Sequence, residues 1–144
     1  MSSKKACYRK LTYYQYQLKE DYLIKINLAN PLSEDLSHPF FELKTDGTFL
    51  IKAKYAWDGP SGITVDTKTF MRGSLVHDAL YQLMNDSLIQ IDNRKYADDL
   101  LKIHCKEDGM FAFRAWYVHL GVRLFGEKYA KPITPKEAEI ICVP

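Results

Sequence analysis

Residues 72–81, RGSLVHDALY, carry the pattern that decides the fold of this chain and its candidate chemistry. On a helix each residue advances by about 100°, so the polar side chains of this stretch share about one third of the circumference. The apolar side chains fall on the other side, which predicts a helix with a core face and a chemical face. The polar strip consists of Ser74, His77, Asp78 and Tyr81, and the apolar side of Val76, Ala79, Leu80 and Leu83.

Two neighbouring segments complete the candidate site. The turn-rich loop WDGPSG, residues 57–62, comes before the helix and offers backbone carbonyl oxygens. A second helix carries Asp98 on its inner border, so this carboxylate is expected to reach His77. Small residues one turn before His77, Gly73 among them, are expected to leave space above the imidazole ring.

The second half of the chain has helical periodicity, with Gly at two helix ends. Asp98, rather than Asp99, lies at the edge of the inner stripe of the second helix, and Asp99 falls in the solvent sector. The connection at 85–92 is short, which favours antiparallel packing of the first two helices. The predicted helices span about residues 69–84, 93–107 and 111–125.

The first third of the chain has the period-2 alternation of strands. Thr45-Asp46-Gly47 separates two apolar runs and predicts a hairpin, whereas the prolines in 30–39 predict a loop. We therefore expect an α+β fold with an N-terminal antiparallel β-sheet, two antiparallel helices carrying the site and a third apolar helix. The predicted strands are 11–18, 22–28, 40–43 and 48–55.

Length and composition predict one domain over residues 1–144. We divide it into a mainly β part at 1–56, a loop at 57–68, a helical part at 69–126 and a C-terminal tail at 127–144, expected to be an extended wrap or a loosely held end. A net charge of +2, spread along the chain, argues against a nucleic-acid binder.

The termini and the cysteines bear on the compartment. The basic start MSSKKACYRK is followed by no apolar segment, so we expect no signal peptide and a protein that is cytoplasmic as synthesised. No stretch approaches the roughly 18 to 20 apolar residues of a membrane span. The three cysteines, Cys7, Cys105 and Cys142, are far apart in sequence and are expected to be reduced thiols.

The third helix, FAFRAWYVHLGVRLFG, is apolar nearly all round, which predicts a core helix. Its Trp and Tyr, with flanking basic residues, would also suit a bilayer surface. His38 and His119 have no acidic partner close in sequence and are expected to be structural or surface residues.

The strings YAWDGPSG, RGSLVHDALY and ADDLL together resemble a family of uncharacterised phage and prophage proteins that share a W-D-G-P-S loop and an H-D-x-L-Y helix. The resemblance covers about residues 40–105. It implies virion or other phage components as partners, and virion association or delivery to another compartment. It implies no activity.

The order of glycine loop, H-D-x-x-Y helix and Asp on the next helix is also similar to secreted phospholipase A2, above all the compact type of parvovirus capsid proteins. That likeness implies calcium as cofactor and a phospholipid membrane surface as partner. His77 would be the base, Tyr81 and Asp98 would orient it, and Asp78 would be the calcium carboxylate. Trp57, Gly59 and Ser61 would supply the carbonyl ligands. The chain differs from that family in having Ser61 in place of a second Gly, no bracing disulfides, and a β-sheet before the site.

Two other hypotheses remain open. In the first, Asp58, His77 and Asp78 bind zinc or manganese directly, as in the HD phosphohydrolases, although the only upstream His is His38, in a loop among strands. In the second, the chain is a non-enzymatic phage structural or accessory protein. The polar strip of the first helix would then be a buried network that ties the loop to two helices.

Overall fold

The structure of the chain is a computed structural model that describes residues 6–8, 16–57, 69–130 and 141–143. Strands precede the helices, so the predicted α+β class is confirmed. The strands are β1 Ala6–Tyr8, β2 Tyr16–Gln17, β3 Tyr22–Lys25, β4 Leu36–Ser37, β5 Phe41–Leu43, β6 Thr48–Ile51, β7 Ala56–Trp57 and β8 Ile141–Val143. The helices are α1 Met71–Asn85, α2 Arg94–Glu107, α3 Ala112–Phe125 and α4 Glu127–Ala130, with a 3-10 turn at Ile91–Asn93 before α2.

An antiparallel sheet with the strand order β3-β6-β5-β4 forms the first layer. The predicted hairpin joins β5 to β6, and its Gly47 has a φ of +93°, where a Cβ would collide with the Ile26 carbonyl oxygen. Phe41 and Leu43 of β5 are buried, whereas Glu42 between them is exposed. This alternation turns one face of the sheet toward the helices.

The strand boundaries differ from the predicted ones at three places. The strand expected over 22–28 ends at Lys25, and the strand expected over 48–55 ends at Ile51, because the backbone turns at Lys54, with φ 78°, before β7 begins at Ala56. The chain continues its apolar alternation through this turn, so the period-2 pattern did not reveal it. The loop expected over 30–39 contains β4, which is too short to produce a periodic signal.

Beyond the main sheet, two strand pairs join distant parts of the chain. β2 pairs with β7, while residues 11–15 of the strand expected at 11–18 lie outside the described residues. β1 pairs with β8, and in their register Cys7 is the Cα partner of Cys142. The last described residues of the tail therefore form a strand, whereas residues 131–140 and 144 lie outside the described residues.

Helices α1 and α2 pack antiparallel, as predicted. Arg72, near the start of α1, donates hydrogen bonds to Glu107 and Asp108 at the end of α2, at distances of 2.8 to 3.1 Å. The core faces of α1 and of the sheet belong to one apolar cluster. All four residues assigned to the core face of α1 are buried: Val76, Ala79, Leu80 and Leu83.

The expectation that α3 is a core helix is wrong. Ala115 and Val118 are its buried residues, and they pack against Leu101 and Cys105 of α2. The main core is filled by the sheet and α1. Helix α3 therefore lies outside this core, and only a narrow side of it contacts α2. Composition indicates how apolar a helix is, but it does not indicate how many of its sides have neighbours. None of the helices in the described ranges is long and apolar enough to cross a membrane.

The close approach of α1 and α2 at Gly73 yields a prediction for stability. A Cβ at Gly73 would lie 3.0 Å from Leu101 Cδ1 and 3.2 Å from Cys105 Sγ, so Gly73→Ala should lower the free energy of unfolding by about 1 kcal/mol despite the better helix propensity of Ala. Gly121→Ala is the matched control, since a Cβ there meets no atom within 4 Å, and it should raise that free energy by about 0.5 to 1 kcal/mol. Urea denaturation measures both. Equal stabilisation by the two substitutions would contradict the tight contact.

Candidate functional site

The site is built around the carboxylate of Asp98, which is completely buried. One oxygen, Oδ1, lies 2.8 Å from His77 Nε2 and accepts a hydrogen bond of 2.6 Å from the Tyr81 hydroxyl. The other oxygen, Oδ2, accepts a hydrogen bond of 2.9 Å from Arg123 Nη1. Both oxygens of the buried carboxylate are thus satisfied by protein groups, as a buried charge requires.

Helix geometry explains how these groups meet. His77 and Tyr81 are separated by one turn of α1, and their ring centroids are 4.1 Å apart. The antiparallel packing brings the middle of α2 opposite them, and Asp98 faces α1 while Asp99 does not. The predicted contact between His77 and Asp98 is therefore present.

Two arginines that were not predicted as site residues, Arg94 and Arg123, belong to the site. Arg94 donates to the Tyr81 hydroxyl at 3.2 Å and to the carbonyl oxygens of Val122 and Arg123 at 2.6 and 2.8 Å. It therefore satisfies the last carbonyls of α3 while also contacting the network. Arg123 reaches Asp98 from α3.

A signal for both arginines exists in the sequence. Arg94 precedes Asp98 by four residues, which is the spacing of an ion pair along a helix, and its Nε lies 3.8 Å from Asp98 Oδ2. Arg123 is an isolated charge in an apolar helix, and a charge in such a place needs a partner. Gly126 follows, and a Cβ there would lie 2.6 Å from the Tyr81 hydroxyl, so the chain after α3 passes close to the site.

The network fixes the protonation of two of its members. Burial raises the pKa of Asp98, but the hydrogen bonds from His77, Tyr81 and Arg123 outweigh it, and the net pKa lies below the ordinary value. Burial and the neighbouring Asp98 raise the pKa of Tyr81 well above its ordinary value. Asp98 is thus an acceptor and Tyr81 a donor throughout the neutral range.

The second ring nitrogen of His77 faces Asp78. Nδ1 lies 3.5 Å from Asp78 Oδ1, a long contact, and the Asp78 side chain is 33% exposed whereas that of His77 is 8% exposed. The site therefore opens toward solvent on the Asp78 side. Burial lowers the pKa of His77, but the carboxylates of Asp78 and Asp98 outweigh burial and raise it above the ordinary value.

The space expected above the His77 ring is not present at Gly73, because side chains of α2 fill it. Ser74, one turn before Asp78, accepts a hydrogen bond of 3.1 Å from Trp57 Nε1 and donates to the Met71 carbonyl. Trp57 is the first residue of the predicted loop, and residues 58–68 lie outside the described residues. Its indole therefore places the beginning of the loop on the side of α1 that carries Ser74 and Asp78.

Asp58, Gly59 and Ser61 lie outside the described residues. Within the described part of the chain, no group of three or more His, Cys, Asp or Glu side chains could hold a metal ion. A surface depression of about 560 Å³, lined by residues 30–33 and 87–92, contains none of the predicted site residues.

Two of the other histidines, His38 and His119, have partners that are remote in sequence. His38 Nε2 lies 3.3 Å from Asp86 Oδ2, and His119 Nε2 lies 2.7 Å from Asp99 Oδ1. Asp99 also pairs with Lys95, which explains why its pKa is lowered in spite of partial burial. Neither His38 nor His119 has a described contact with a residue of the Asp98 network.

No protein-family model, curated protein or solved structure matches this chain. The chemistry of the site is therefore inferred from its geometry. An imidazole whose Nε2 is held by a buried carboxylate presents its Nδ1 as a proton acceptor. A partly exposed carboxylate beside that nitrogen, Asp78, is available to a cation or to solvent.

Proposed function

We propose that the chain is a calcium-dependent hydrolase of glycerophospholipid esters, in which His77 activates a water molecule. The observation that carries this proposal is the shared Asp98 Oδ1, which holds His77 Nε2 at 2.8 Å and the Tyr81 hydroxyl at 2.6 Å. The likeness to secreted phospholipase A2, in loop order and in H-D-x-x-Y spacing, supplies the substrate class.

The proton transfer rests on the tautomer of His77. Above the raised pKa of His77, Nε2 carries the proton and donates it to Asp98, and the lone pair of Nδ1 lies on the Asp78 side. Nδ1 accepts a proton from water as the water attacks the ester carbonyl, and the imidazolium then returns that proton to the departing alkoxide. Asp98 stays ionised and stabilises the imidazolium, and Tyr81 positions the carboxylate.

Asp78 would supply the carboxylate of the proposed calcium site. Asp78 is a hard oxygen ligand, is partly exposed, and makes no ion pair with a Lys or Arg among the described residues. Trp57, the first residue of the loop, contacts Ser74, which lies one turn before Asp78. By the resemblance, the carbonyls of Trp57, Gly59 and Ser61 would complete the ligand set. Bound calcium would polarise the ester carbonyl and stabilise the oxyanion.

One carboxylate with neutral carbonyls predicts weak calcium binding, with a dissociation constant of about 0.1 to 1 mM. Hydrolysis of phospholipid in liposomes should therefore appear at millimolar calcium and disappear with a chelator. Calcium should also raise the melting temperature of the parent, and Asp78→Asn should abolish that rise, because a ligand that binds only the folded state stabilises it.

The control is Asp92→Asn, which neutralises an exposed carboxylate in the 3-10 turn and should leave both effects unchanged. Hydrolysis that is insensitive to chelator and to Asp78→Asn would refute the calcium role.

Calcium at submicromolar cytosolic levels would leave such a site empty. This suits a protein that reaches its target through a virion or by lysis, as the phage resemblance implies.

A second candidate is the non-enzymatic role in a phage structural or accessory protein. It is favoured by the completeness of the Asp98 network, which joins α1, α2 and α3 and leaves neither oxygen of the carboxylate open. This role predicts no calcium effect on the melting temperature, no hydrolysis, and similar losses of stability for His77→Ala and Asp78→Asn. Direct zinc or manganese binding by Asp58, His77 and Asp78 stays a third hypothesis, tested by replacing calcium with either metal in the same assay.

A further inference from the structure

The side of α3 that faces away from the protein is apolar and exposed. Its residues recur at the spacing i, i+3, i+4, i+7 and i+11, so on a helix they lie within about 100° of arc. The exposed fractions range from 37% at Leu120 to 77% at Phe113. We call this surface the outer stripe; it consists of Phe113, Trp116, Tyr117, Leu120 and Leu124.

The fold gives the outer stripe no partner within the described residues. The opposite side of α3 holds the helix in place, through the packing of Ala115 and Val118 and the hydrogen bonds from Arg94 to the last carbonyls. Phe111 and Phe125, just before α3 and at its last residue, are exposed by 84% and 71% and extend the apolar surface. A continuous exposed patch of large apolar residues marks an interaction surface.

The charges near α3 are unbalanced. Each acidic residue of α2 is in an ion pair, namely Asp98, Asp99 and Glu107. Three basic residues of α2 and α3, Lys102, Lys106 and Arg114, make no ion pair among the described residues, and α3 has no acidic residue. The apolar surface is therefore accompanied by uncompensated positive charge.

We propose that the outer stripe binds the surface of an anionic phospholipid bilayer. Trp116 and Tyr117 suit the headgroup region, where an aromatic ring is half in water, and the Phe and Leu side chains would enter the acyl boundary. Lys102, Lys106 and Arg114 would attract lipid phosphates. A second copy of the chain is the less suitable occupant, because a symmetric pair formed through α3 would bring these uncompensated cations together.

This surface is inferred from the exposed side of α3 and the nearby cations, and it stands apart from the hydrolase proposal, but it would also position the candidate site. Arg123, next to Leu124 in the chain, holds the buried Asp98 at 2.9 Å. A bilayer that contacts the C-terminal end of the outer stripe would therefore lie close to the network that orients His77.

The test is binding of the full chain to vesicles of phosphatidylglycerol and phosphatidylcholine, followed by sedimentation and by tryptophan emission. The chain has two tryptophans, and Trp57 is 5% exposed whereas Trp116 is 48% exposed, so a blue shift on binding reports Trp116. Phe113→Ser combined with Leu124→Ser should lower vesicle binding by about tenfold or more, given the apolar area withdrawn from the bilayer. Leu23→Ser, at a residue of the sheet that is 64% exposed, is the matched control and should bind as the parent does.

A second pair of variants tests the charge. Lys102→Gln with Lys106→Gln should weaken binding to phosphatidylglycerol vesicles by roughly fivefold per charge, while Lys19→Gln with Lys44→Gln, both on exposed lysines of the β part, should not. His77→Ala should bind vesicles normally, so loss of hydrolysis and loss of binding are distinguishable.

Two results would overturn the proposal. One is the absence of anionic vesicle binding by the parent. The other is a dimer in sedimentation equilibrium that Phe113→Ser with Leu124→Ser dissociates, which would assign the outer stripe to self-association.

Discussion

His77→Ala is expected to reduce phospholipid hydrolysis at millimolar calcium by about 10²-fold to 10⁴-fold, the usual contribution of a general base. In the proposed mechanism, Nδ1 of His77 is the proton acceptor on the side of the site where Asp78 is partly exposed. The measurement is initial rates on liposomes, with the melting temperature of each variant recorded in parallel.

Because Ala also removes a partner of the buried Asp98, a second variant separates chemistry from folding. In His77→Gln the side-chain amide can donate to Asp98 in place of Nε2, but it cannot accept a proton from water. We expect it to be as inactive as His77→Ala and more stable. Tyr81→Phe should lower the rate less, since Tyr81 positions Asp98 and does not exchange a proton. A His77→Gln variant with more than about one tenth of the parent rate would exclude His77 as the base.

The geometry of the network was largely predictable because it depends on short sequence separations and on one simple packing. The turn of an α-helix places His77 and Tyr81 together, and the 85–92 connection brings α2 back antiparallel. The inner stripe of α2 then distinguishes Asp98 from Asp99. Each of these steps uses the periodicity of apolar and polar residues, which can be seen in a single sequence.

The parts that were missed depend on contacts between elements far apart in the chain. Arg123 reaches Asp98 across 25 residues, and no periodicity relates α3 to α2. The exposure of α3 could not be inferred, because its apolar residues surround the helix and the pattern favours no side. The antiparallel register of β1 and β8, which places the Cα atoms of Cys7 and Cys142 opposite each other, is a similar case, because sequence separation says nothing about strand register.

Asp98→Ala is expected to lower the free energy of unfolding by about 3 to 5 kcal/mol, because it leaves the buried donors of His77 and Tyr81 and the half-buried guanidinium of Arg123 without their acceptor. Asp99→Ala is the matched control. Its side chain is 38% exposed, and the loss of its pairs with Lys95 and His119 should cost about 1 kcal/mol or less. Urea denaturation of the two variants at neutral pH makes the comparison, and equal losses would show that the network does not stabilise the fold.

The pH dependence of the stability of Asp98→Asn tests whether Asp98 is ionised in the folded protein. The folded protein lowers the pKa of Asp98, so ionisation of Asp98 contributes stability above its unfolded pKa of about 3.9, and this stability is lost as the pH falls through the folded value. Below about pH 5.5, where His77 is charged in both the folded and the unfolded chain, the difference in unfolding free energy between the parent and Asp98→Asn should therefore shrink as the pH falls. Above that pH the difference should also fall as the pH rises through the titration of His77, because Asp98 raises the pKa of His77. A difference that grows in acid would mean that Asp98 is protonated in the folded protein. A protonated Asp98 could not stabilise an imidazolium at His77, so that result would also remove the physical basis for His77 as a base.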